Sequence, residues 1–141
     1  MSWYLSAILS ALSASLVAIL GKLGLKTVDS TLATTIRSFV MALFLLLVSL
    51  LMGKFTHLTK TSIGTNDWIL IILAGVAGAV SWLFYFYALK SGPASGVSAL
   101  DRLSLVFVVL FAAIFLSEHI GWKTVIGTLF MVIGAFFITA K

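Results

Sequence analysis

Five apolar stretches of about twenty residues constrain this chain more than any other feature. Trp3 to Leu20, Leu32 to Met52, Trp68 to Leu89, Val97 to Leu116 and Trp122 to Ala140 stand one after another. Each matches the roughly 20 helical residues needed to cross a hydrocarbon core of about 30 Å. Backbone polar groups in lipid must be satisfied internally, which leaves helices or a closed barrel. The runs show no alternation of apolar and polar residues at period two, so the expectation is an all-α membrane protein with five transmembrane helices. Connections between the spans are short, so residues 1–141 read as one domain without a soluble appendage.

Composition agrees: 62% of the 141 residues are hydrophobic, 9% are charged, and the mean hydropathy is +1.23. A soluble domain carries about a quarter charged residues. No basic residue precedes the first span as the n-region of a signal peptide requires, so that span is expected to be retained. Trp3, Trp68 and Trp122 each open a span, where an indole favours the headgroup layer. Asp29 or Ser30 can cap the second helix, and Asn66 or Asp67 the third.

The net charge of +5 is scattered singly along the chain, which suits membrane orientation and argues against a nucleic-acid partner. Five spans place the termini on opposite sides. Lys54, Lys60 and Lys123 fall on the side of the amino terminus, and Lys22, Lys26, Lys90 and Lys141, with Arg37 and Arg102 just inside helices, on the other. An excess of bases in the cytoplasm therefore favours an outside amino terminus and a cytoplasmic carboxyl terminus. Without the two arginines the count is three against four, close enough to balance for both orientations and an antiparallel pair of chains to be open.

Small residues recur at helical spacing. In the first span Ser6, Ser10 and Ser13 run beside Ala7, Ala11, Ala14, Ala18 and Gly21; Ala74 and Gly78 repeat the pattern in the third, and Gly127 and Gly134 in the fifth. Such stripes are packing seams first, with a lining role for the serines as the second reading.

Charges inside the spans are the sharper signal. Arg37 and Asp101 enter their spans from the same side and lie about 6 to 8 Å inside, so an ion pair between the two helices is expected. Asp101 and Arg102 are adjacent, about 100° apart on a helix, and do not face one another. The arginines can alternatively snorkel to headgroups. Asp101 is too short to do so, and must be paired, protonated or turned to water. It is thus either a coupling residue or a lock. Trp82, Phe84, Tyr85, Phe86 and Tyr87 crowd the end of the third span, and Trp82 with Tyr85 can wall a solute.

Catalytic chemistry has little to stand on. The chain has no cysteine, His57 lies in the polar "GKFTHLTKTSIGTND" loop, and Glu118 and His119 lie in the connection before Trp122. These do not make a convergent ligand set or a nucleophile with its base, so no catalytic residue, metal or cofactor is expected.

From Trp82 the sequence reads "WLFYFYALKSGPASGVSALDRLSLVFVVLFAAIFLSEHIGWKTVIGTLFMVIGAFFI". It resembles the EamA domain of the drug/metabolite transporter superfamily in Tyr87-Ala88-Leu89, in Gly92-Pro93-Ala94-Ser95, in Leu116-Ser117-Glu118 and in Gly127. "LDRLSLVFVVL" and "LGKLGLKTVDSTLATTIRS" look like the small five-helix bacterial and archaeal subgroup. The resemblance covers essentially the whole chain, as a single copy where many members carry two. It implies half of an inverted-repeat, ten-helix transporter that exports a small metabolite by alternating access across the plasma (inner) membrane. A homodimer would supply the ten helices, with the bilayer and a small-molecule solute as the other partners. Its cavity would be lined at Ser10, Ser13, Trp82, Tyr85 and Asp101. The first span lacks the membrane glutamate of the small multidrug-resistance relatives, which sets their cation/proton exchange apart. A membrane scaffold or accessory subunit, its charges fixing helix register, is the alternative reading.

Overall fold

The computed structural model describes residues 2–55 and 63–140. Among them every regular element is a helix: α1 (Trp3–Gly24), α2 (Ser30–Leu51), α3 (Thr65–Ser91), α4 (Ala94–Asp101), α5 (Ser104–Phe115) and α6 (Trp122–Thr139). Five segments are long and apolar enough to cross a membrane, with α4 and α5 together making the fourth. Large side chains such as Phe39, Phe84, Phe111 and Phe137 are exposed along these helices, as residues that meet lipid chains must be.

Helix ends follow local chemistry. The Asp29 carboxylate accepts hydrogen bonds from the backbone N–H of Thr31 at 2.9 Å and of Leu32 at 3.2 Å, so Asp29, not Ser30, caps α2. These N–H groups hold its carboxyl below the usual carboxylate range, with a smaller contribution from Lys90. The helix expected to start from a cap at Asn66 or Asp67 begins earlier, at Thr65. The Trp68 N–H already donates to the Gly64 carbonyl, and the Asp67 carboxylate folds back against Gly64. Ser117 closes α5 with φ at 54°, in the left-handed region, where the Glu118 N–H donates to the Ala112 carbonyl.

The fourth span departs from the single helix expected over Val97 to Leu116. It tightens around Arg102 and Leu103, where bonds run three residues back: Arg102 to Ala99, Leu103 to Leu100, Leu105 to Arg102 and Val106 to Leu103. This short 3₁₀ passage separates α4 from α5.

The chain divides into two compact units, Leu23–Lys90 and a second made of Met1–Lys22 with Ser91–Lys141. In the second unit α4 packs against α6. Gly96, Ala99 and Ala135 are buried there, and a Cβ on Gly96 would meet Thr139 Cγ2 at 3.6 Å and Pro93 Cγ at 3.2 Å. The first of these is an ordinary contact and the second a tight one, so the absent side chain matters more for the Pro93 turn than for the approach to α6. Lys22 Nζ donates to the Gly92 carbonyl at 2.9 Å, tying the end of α1 to the turn before α4. In the first unit α2 and α3 are joined at their far ends and run antiparallel. Their buried positions, Ser30 and Thr34 on α2 and Phe86 and Leu89 on α3, lie at helical spacing near the start of one and the end of the other.

Candidate functional site

One turn beyond Thr34 on α2 stands Arg37, and one turn before Phe86 on α3 stands Trp82. The Arg37 Cζ lies 3.7 Å from the centroid of the Trp82 ring, a separation that only contact with the ring face allows, and 5.5 Å from that of Phe86. Arg37 is seven residues into α2, about 10 Å from its start. At such a depth the π face of an indole, the strongest of the aromatic partners for a cation, is a source of negative potential where water is scarce.

The ring is itself braced. Tyr85 meets Trp82 edge-on at 5.3 Å, Phe86 meets it at 6.0 Å, and Tyr85 and Phe86 are 6.1 Å apart. Phe86 is 4% exposed, so the aromatic group is anchored on its buried member. Cation–π contact uses the guanidinium face; its five N–H donors radiate in the plane. Among the described residues of this unit none of those donors finds an acceptor. A preformed positive fork on an aromatic platform, at membrane depth, is suited to binding a negative, flat group.

The other expected residues fall in the second unit. Ser10 and Ser13 are exposed on α1, and the Ser13 hydroxyl donates to the Leu9 carbonyl at 2.9 Å. Asp101 is the last residue of α4 and Arg102 the first of the 3₁₀ passage, both exposed. So Arg37, Trp82 and Tyr85 are brought together, while Ser10, Ser13, Asp101 and Arg102 are distributed along α1 and the α4–α5 break. Sequence reasoning passed over Phe86 as a brace; its place four residues from Trp82, on the same helix face, was the available signal. His57 and Lys60 lie outside the described residues. Among those described, no group of three His, Cys, Asp or Glu side chains is placed to hold a metal. A groove of about 430 Å³ on the same unit is lined by Ser30, Thr31, Val80, Leu83, Phe84 and Tyr87. Trp82 and Arg37 are not among its walls, and its lining is nearly all apolar, which suits lipid better than a polar solute.

The model of the EamA-like transporter family matches residues 1–140. A protein of Sinorhizobium sp. named "Uncharacterized transporter in cobO 3'region" is 36% identical over 134 residues, which cover 95% of this chain and 94% of that one. The pseudopaline exporter CntI of Pseudomonas aeruginosa is 38% identical over 69 residues, 49% of this chain and 24% of the exporter. No solved structure matches the chain.

Proposed function

This chain belongs to the EamA-like transporter family and is a multi-pass membrane transporter; from that premise we propose that it exports a small metabolite by alternating access as an assembly of two chains. The observation that carries the reading is the Arg37 guanidinium held on the Trp82 ring, a fixed charge kept inside a span without an acceptor in its own unit. Intramembrane charges mark solute or ion pathways more often than they stabilise a fold. The exporter name of the Pseudomonas relative supports the outward direction. Five spans are half of a ten-helix transporter, which favours a homodimer, and the nearly balanced flanking charges favour an antiparallel one. The plasma membrane is the site of action in this reading.

Ser10, Ser13, Trp82, Tyr85 and Asp101 are the proposed lining residues. Asp101, Arg37 and Arg102 are the candidates for coupling. Flux of a solute panel into proteoliposomes of purified protein tests the function. Loss of flux in Trp82→Ala and Asp101→Asn supports the site; unchanged flux in both rejects it. Absence of all flux, with Arg37→Ala disassembling the protein, would favour the scaffold reading instead. Single cysteines at Ser2 and Lys141, labelled from both sides of the membrane, test dual insertion on a chain that has no cysteine of its own.

A further inference from the structure

We infer that Arg37, stacked on Trp82, is the anchor for a carboxylate of the transported solute, which docks in the plane of the guanidinium and takes two of its N–H donors at once. The inference rests on the transporter reading and names the class of solute, an organic anion with an apolar body.

The geometry supplies the argument. Contact at 3.7 Å with the indole face fixes the guanidinium and removes much of the rotamer freedom that a long side chain otherwise loses on binding. Tyr85 and Phe86 hold the indole in turn. The donors left in the plane have no acceptor among the described residues of the unit, and a carboxylate matches their fork with two parallel bonds. Two aromatic rings lie against the charge within an apolar span, so the bonds form at a local dielectric below that of water, where they are stronger. The same rings offer contact area to an apolar solute body. A lipid phosphate presents similar oxyanion chemistry. Arg37, however, is spread on a ring about 10 Å into its helix and not extended toward the helix end, which favours the soluble anion.

Binding can be read without transport. The full chain, with Trp3, Trp68 and Trp122 replaced by Phe so that Trp82 is the single tryptophan, is placed in phosphatidylcholine nanodiscs and titrated with benzoate and with its neutral near-isostere benzamide. Trp82 emission is expected to respond saturably to benzoate, with benzamide weaker by about tenfold or more, as for a charge-assisted bidentate contact. Arg37→Gln removes the preference. Arg37→Lys, which keeps the charge and loses the fork, retains it in weakened form and serves where the glutamine variant does not fold. Equal responses to the two probes, or a preference that survives Arg37→Gln or is unchanged in Arg37→Lys, overturn the inference. Emission that follows added phosphatidylglycerol while benzoate is silent assigns the site to lipid, and also overturns it. Flux in proteoliposomes separates the two levels: anion preference without any flux sinks the transporter reading alone, and flux without charge preference sinks this inference alone.

Discussion

Arg37 and Arg102 are both arginines inside apolar spans, yet the chain accommodates them differently. On α2 the helix continues unbroken through Arg37, and a side chain from α3 receives the charge. In the fourth span the backbone itself changes, shifting to bonds three residues back where Asp101 and Arg102 occur. In one region a ring faces the charge; in the other the charged side chains are exposed beside a tightened backbone. The difference sets a charge faced by a ring in the α2–α3 pair against a tightened backbone in the fourth span.

That contrast can be broken first at Trp82. Trp82→Ala should cost about 3 kcal/mol, the low end for such truncations because the residue is half-buried, and thermal unfolding in detergent measures it. A loss under about 1 kcal/mol would mean that Arg37 does not depend on the ring. Gly96→Val probes the other region, since the first added carbon already meets Pro93 at 3.2 Å; about 2 kcal/mol should be lost, with α4 pushed from α6 and the Trp82 environment unchanged. If Trp82 emission moves as well, the two regions are not separable. Ser117→Gly should raise stability by about 1 kcal/mol by relieving the left-handed backbone after α5, leaving flux untouched. The smallest effect is expected at Asp29. Its carboxyl is lowered in the folded state, so the contribution of this cap is present above the unfolded pKa near 3.8 and is lost as pH falls through the lower folded value. Amide exchange at Thr31 and Leu32 should accelerate over that acid window, and Asp29→Ala should remove the pH dependence.

Five spans were legible in the sequence because length and apolar continuity are properties of a single segment. The α2 cap was legible for the same reason, being a contact between residues two and three apart. The break in the fourth span was not, for no proline or glycine occurs between Val97 and Leu116 to announce it. Nor was the neighbour of Arg37. Its depth follows from counting residues, but which ring faces it depends on the rotation of α2 against α3, and the buried positions Thr34 and Phe86 mark where the two helices turn inward. The aromatic cluster could be seen; its assignment to the arginine could not.

The hydroxyls carry one more consequence. Ser13, Ser15, Thr34, Thr35 and Thr139 all donate to carbonyls three or four residues earlier on their own helices. These five hydroxyls therefore need no partner from a neighbouring helix, and do not hold back the passage of their spans into lipid. The second span differs in one residue. Arg37 can meet its ring only after the third span has been synthesised, so the contact that receives this charge belongs to the α2–α3 pair and not to α2 alone.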